Sequence, residues 1–157
     1  MGAIIDFDDL GRLRTDLPGK KIVLGTGCFD LLHVGHLYFL QEAGRQGDVL
    51  IVGLNSDAAI KAIKGPDRPI FKQEERVELI AAFECVDMAF IFDDVVADSS
   101  ISALKPDVFV IGEESVEAYP SELSSAHSAA ARVQIVTRIP SVSTTSVLAN
   151  LYKSRVE

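Results

Sequence analysis

The chain has 157 residues, 48% of them hydrophobic, with a formal net charge of −8 and a pI near 4.8. That apolar content supplies a core and argues against disorder. The apolar runs are shorter than the ~20 residues of a membrane-spanning helix, and the negative charge gives no general affinity for nucleic acid or anionic membranes. Cys28 and Cys85 lie far apart, without CxxC or Cys/His spacing, which argues against a disulfide framework or a structural zinc site.

Residues 1–19 read as a helical prelude. Phe7, Leu10, Leu13 and Leu17 have helical spacing, and Pro18-Gly19 ends it. The acids Asp6, Asp8 and Asp9 do not suit a signal peptide, so a cytoplasmic chain is expected. Residues 21–24 form a first strand. Gly25 to His36 then make a glycine-rich turn into a helix over 34–45. A continuous apolar run over 49–54 reads as a buried parallel strand. A short helix over 58–63, a breaker-rich loop over 64–69 and a patterned helix over 72–83 follow. Strands over 88–92, 108–111 and 133–136 are separated by a helix over 98–104 and by the weakly patterned stretch 113–128. A last helix covers 143–152, capped by Ser143 or Thr144. The expectation is one α/β domain over 1–157, with its core at about 20–152. Its fold would be a Rossmann-like, doubly wound open sheet of about five parallel strands.

Such sheets bind ligands beyond the carboxyl ends of their strands. The turns expected there carry Cys28, Phe29, His33, Gly35 and His36 after the first strand, and Asn55, Ser56, Asp57, Lys64 and Arg68 after the second. Gly112-Glu113 follows the fourth, and Arg138 with Ser143-Thr144-Thr145 the fifth. Two helix N-termini, two histidines, cations and hydroxyls on one rim suit a polyphosphate. Walker A is absent, and Asp30 stands where a dinucleotide fingerprint needs its third glycine. His33 and His36 lie three apart without the HExxH glutamate, so no metal ligands are assigned. A nucleophilic Cys28 would require a nearby base and a lowered pKa.

The run Gly27-Cys28-Phe29-Asp30-Leu31-Leu32-His33-Val34-Gly35-His36 resembles the HxGH signature of the cytidylyltransferase-like nucleotidyltransferases. Arg138 to Thr145 resembles that family's second signature, and Lys64 and Gln73-Glu74-Glu75-Arg76 fall where the family has a lysine and an E-x-R helix. The resemblance implies attack of an acceptor phosphate on the α-phosphorus of a nucleoside triphosphate, with pyrophosphate leaving. It implies His33 and His36 as donors to the triphosphate and Lys64 as a cation on the triphosphate or the acceptor. Gly27, Cys28, Phe29, Gly35, Gly112, Arg138, Ser143, Thr144 and Thr145 are implied as nucleotide contacts. Asp30, Lys64 and Arg76 are implied on the acceptor side, with Arg76 on acceptor or phosphate. Mg²⁺ is expected with the triphosphate, and a homodimer is suggested.

Lys64-Gly65-Pro66-Asp67-Arg68-Pro69 and Asn55-Ser56-Asp57 resemble heptose-phosphate adenylyltransferases, which favours ATP and a sugar phosphate such as heptose 1-phosphate. Against this, Ile111-Gly112-Glu113-Glu114-Ser115 departs from the K-G-G-D-Y of that group. Phe71-x-Gln73-Glu74-Glu75-Arg76 and Arg138 resemble CTP-dependent enzymes for phosphoethanolamine or glycerol phosphate. FAD synthetase and a non-catalytic nucleotide-binding regulator are further alternatives.

Overall fold

The computed structural model describes residues 1–137. The six strands are β1 (Ala3–Ile4), β2 (Ile22–Gly27), β3 (Val49–Asn55), β4 (Met88–Phe92), β5 (Val108–Gly112) and β6 (Arg132–Val136). They form one sheet in the order β1-β4-β3-β2-β5-β6, with every neighbouring pair parallel. The helices are α1 (Leu13–Asp16), α2 (Val34–Gly44), α3 (Asp57–Lys64), α4 (Gln73–Ala81), α5 (Asp98–Leu104), α6 (Glu113–Ala118) and α7 (Pro120–Ser128). A 3₁₀ turn over Phe7–Arg12 precedes α1.

Alternation along the strands builds two cores. Ile22, Leu24, Ile51, Phe90 and Phe109 point to one face, where the 3₁₀ turn, α5 and α7 supply Leu10, Ile101, Leu104 and Ala126. Val23, Leu50, Val52, Ala89, Val108 and Val110 point to the other, where α2 and α4 supply Leu40, Val77 and Ile80. Because both faces are covered, β3 is buried at all seven positions and has no polar alternation.

The sheet has one strand more than expected. β1 is a two-residue edge, too short for a periodic signal. Gly2 donates to the Ala81 carbonyl at 2.7 Å, and Ile5 donates to the Ala89 carbonyl at 2.9 Å. A Cβ at Gly2 would stand 2.5 Å from the Val86 carbonyl oxygen, so the edge requires glycine there. The prelude helix is correspondingly broken into the 3₁₀ turn and α1. Residues 113–128 form α6 and α7. The expected helix over 143–152, with Arg138, Ser143, Thr144 and Thr145, lies outside the described residues.

Acids hold the amino-terminal edge of the sheet. Asp48, Asp87 and Asp107 accept from the N–H groups of Lys21, Leu50 and Ile22 at 2.8, 2.7 and 2.7 Å. Burial pushes the Asp107 carboxyl up, but Arg14 and the Ile22 N–H outweigh it and leave the group below the ordinary aspartate range. The ligand-facing, carboxyl edge is thereby left to other residues. After β2 the chain moves through β3 to β4 on one side, then returns to β5 on the other. The switch point is therefore between β2 and β5, where an open sheet parts its loops.

Candidate active site

At the switch point, Gly27 leads into a turn whose Phe29 holds φ +45°, the left-handed region that side chains rarely adopt. Phe29 is nearly fully buried, and its ring covers Gly27: a Cβ there would meet Phe29 Cε2 at 3.1 Å. Glycine at 27 therefore lets the aromatic fold back under the turn.

The two histidines build the first turn of α2. The His33 Nδ1 accepts from the Gly35 N–H at 3.1 Å, capping the helix. The His36 Nδ1 accepts from the His33 N–H at 3.3 Å, completing a reciprocal box. Their rings stack with centroids 3.9 Å apart. Since both Nδ1 atoms accept, each neutral ring carries its proton on Nε2. The sequence thus uses histidine as a cap and converts each ring into an oriented N–H donor at a helix N-terminus.

Arg76 lies beneath this turn, fully buried. It donates to the carbonyls of Cys28 (2.6 Å), Asn55 (2.9 Å) and Phe71 (3.1 Å), and to the Asp57 carboxylate (2.9 Å). Asp30, also buried, accepts from the Ile70 N–H at 2.7 Å and the Phe71 N–H at 3.3 Å and pairs with Arg68. Two side chains expected near the acceptor therefore bond the protein: Arg76 ties the ends of β2 and β3 together, and Asp30 anchors the loop ahead of α4. Neither lines the cavity described next.

A cavity of about 340 Å³ opens over the carboxyl edge. Gly27, Cys28, Phe29, His33, Gly35, His36, Lys64 and Gly112 line it, as do Asn55, Phe92 and Thr137. The fold thus brings together strand ends separated by up to 110 residues of sequence, counted from Gly27 to Thr137. Burial pushes the Cys28 thiol up despite the Lys64 and Arg76 charges, and its Sγ donates to Asn55 Oδ1 at 3.6 Å. That is the state of a packed thiol, not an activated nucleophile. Among the described residues no group of three or more His, Cys, Asp or Glu could hold a metal ion. No helix among them is long and apolar enough to cross a membrane.

The segment 113–128, weakly patterned in sequence, supplies the remaining wall with Glu114, Ser115, Tyr119 and Glu122. Glu122 is buried, its Oε1 accepts from the Ala97 N–H at 2.8 Å, and burial raises its carboxyl above the ordinary range. Burial also pushes the Tyr119 hydroxyl up, with Cys28 and Glu122 adding to it. The available signal was the Tyr119-Pro120 step, a helix start with proline in its first turn.

The sequence profile of the cytidylyltransferase-like family matches residues 24–151. The chain belongs to that family. Membership in that family makes it a nucleotidyltransferase by class, and the matched span includes both the HxGH turn and the wall over 113–128. Similar proteins include the bifunctional protein HldE of Syntrophotalea carbinolica, 37% identical over 92% of this chain and 31% of its own. HldE of Geobacter metallireducens is 41% identical over 87% of this chain and 28% of its own. The chain thus spans less than a third of those relatives. Among solved structures, a lipopolysaccharide core biosynthesis protein from Thermoplasma volcanium superposes with a TM-score of 0.64 at 29% identity. That match covers 77% of this chain and 98% of the other. A pantoate–β-alanine ligase from Francisella tularensis, 16% identical with a TM-score of 0.65 over 96% of this chain and 73% of its own, shares the fold.

Proposed function

We propose that this domain transfers a nucleoside monophosphate, from ATP in preference to CTP, to a phosphorylated sugar such as a heptose 1-phosphate. The observation that carries this reading is the stacked His33/His36 pair, with both Nδ1 atoms engaged by backbone, at the N-terminus of α2 over the β2/β5 switch point. The HldE relatives and the Lys64–Pro69 loop support the adenylyl, sugar-phosphate side of the family.

In this mechanism an oxygen of the acceptor phosphate attacks the α-phosphorus. The bond to the α–β bridging oxygen breaks, and pyrophosphate leaves with that electron pair. His33 and His36 donate through Nε2–H to the oxygens that gain charge, an effect strongest in a site sheltered from water. Lys64 draws the two phosphates together. Gly27, Gly35 and Gly112 let backbone approach the nucleotide, and the Cys28–Phe29 turn sets its position. Arg138, Ser143, Thr144 and Thr145 are assigned to the same nucleotide by motif alone. Asp30 and Arg76 act as positioning residues, through the 68–71 loop and the strand ends.

The phosphate-facing imidazole N–H and ammonium groups offer no ligand atom to a cation, so Mg²⁺ would be carried by triphosphate oxygens and water. It would supply charge neutralisation of the leaving pyrophosphate. A cytoplasmic setting, where nucleoside triphosphates are available, and a homodimer complete the reading.

The test is pyrophosphate release with Mg²⁺, ATP or CTP, and a panel of sugar and alcohol phosphates. Release with ATP and a sugar 1-phosphate is expected. Release with CTP alone would replace the adenylyl assignment, and nucleotide binding without release from any acceptor would turn the protein into a regulator.

A further inference from the structure

The cavity has two unlike sides. α2 brings His33 and His36 from one face of the sheet, while α7 brings Glu122 from the other. Glu122 is only 5% exposed, yet it lines the cavity. Its Oε1 holds the Ala97 N–H at the start of α5, and no other hydrogen bond or ion pair reaches the carboxylate among the described residues. Buried carboxylates without a cation are rare, because the lost hydration must be replaced by donors. Here the second oxygen has the cavity to draw a donor from. Tyr119, three residues earlier on the same wall, adds a hydroxyl that can donate and accept.

Position decides which bound molecule this wall meets. Glu122 bonds the start of α5, just beyond the end of β4, where Phe92 and Val95 also line the cavity. Asn55, at the end of β3, donates to the Asp94 carbonyl at 3.0 Å and so joins this side. Lys64 closes the helix that follows β3. A phosphate drawn by Lys64 would therefore extend its organic body toward Glu122. Gly112 and Thr137, at the β5 and β6 ends, also line the cavity, and on this reading the nucleoside takes their side.

Resting on the nucleotidyl-transfer reading, we propose that Glu122, with Tyr119 beside it, reads a hydroxyl of a phosphorylated polyol and sets acceptor specificity. A hydroxyl fits better than an ammonium, since it satisfies the carboxylate without stripping a second charge of water. A site built to bond a hydroxyl also rejects an analogue lacking it, because its own polar group is then left unpaired.

The experiment compares wild type, Glu122→Gln and Tyr119→Phe in steady-state pyrophosphate release, with heptose and hexose 1-phosphates, their deoxy analogues and phosphoethanolamine. Glutamine keeps an oxygen for the Ala97 N–H and turns the cavity-facing acceptor into an amide donor. The expected result is an acceptor KM raised about tenfold or more in Glu122→Gln, with less in Tyr119→Phe and nucleotide KM within about twofold. At least one deoxy sugar should lose its penalty in the glutamine variant. The proposal is overturned if both KM values rise together, if neither moves, or if wild type prefers phosphoethanolamine. A wild type active on sugar phosphates with indifferent variants sinks this proposal alone; a wild type silent on the whole panel sinks the transferase reading and this proposal with it.

Discussion

Arg76→Met would break the joint beneath the active turn while leaving a side chain of similar reach. Methionine fills much of the same space, so the loss is mainly polar. Three carbonyls, those of Cys28, Asn55 and Phe71, and the Asp57 carboxylate lose a donor. Each orphaned buried group costs about 1–3 kcal/mol. Only the Asn55 bond is fully buried, so water recovers part of the loss at the other positions. Removing the guanidinium also returns its own desolvation cost. The net is about 3–5 kcal/mol, the range for breaking a buried charge network on one side. With total stability of about 5–15 kcal/mol, that is a large fraction. At a urea m-value of about 2 kcal/mol/M, the midpoint falls by about 1.5–2.5 M. Urea unfolding followed by far-UV circular dichroism measures it. Arg76→Lys should recover less than half, since one ammonium does not span both strand ends and the Phe71 loop. A midpoint shift below about 0.5 M for Arg76→Met, with m unchanged, would refute the joint.

Other variants separate roles that coincide in one residue. His33→Asn keeps a cap for α2 but removes the Nε2 donor, so stability should hold within about 0.5 kcal/mol while kcat falls about 10²-fold or more; equal losses of both would assign His33 to the cap alone. Cys28→Ser should retain kcat within about threefold, and iodoacetamide should label Cys28 slowly at neutral pH, because burial keeps the thiol protonated. Rapid inactivation by alkylation of Cys28 would contradict this. Glu122 has a raised carboxyl in the folded state, so the native protein binds its proton more tightly than the unfolded chain. Stability from this group is therefore present near the ordinary glutamate range and is lost as pH rises through the raised value. The melting temperature of Glu122→Gln relative to wild type should accordingly improve as pH rises over that window; a constant difference across pH would count against it.

The central strands were legible because burial on both faces leaves continuous apolar runs such as Val49–Asn55. The edge strand β1 was not, since two residues carry no period. The turn at Gly27–His36 was legible because glycine, paired histidines and a helix start converge within ten residues. Arg76 was harder to place. Its neighbours Glu74 and Glu75 suggest a solvated helix face, yet Arg76 stands one turn before Ile80 and shares its buried stripe. Glu122 was invisible: in a serine- and alanine-rich stretch an acid reads as surface, and only α7 packing against α5 brings it into the cavity.

Transfer at an α-phosphorus is the role proposed for the His33/His36 turn. Its most direct measurement is incubation with Mg²⁺, a sugar 1-phosphate and ATP labelled with ³²P at the α-phosphate. Transfer at the α-phosphorus puts label in a nucleoside-diphosphate sugar with one pyrophosphate per product, and both are lost in His36→Ala with its fold intact. Label that stays in ATP, or undiminished product from His36→Ala, would contradict it.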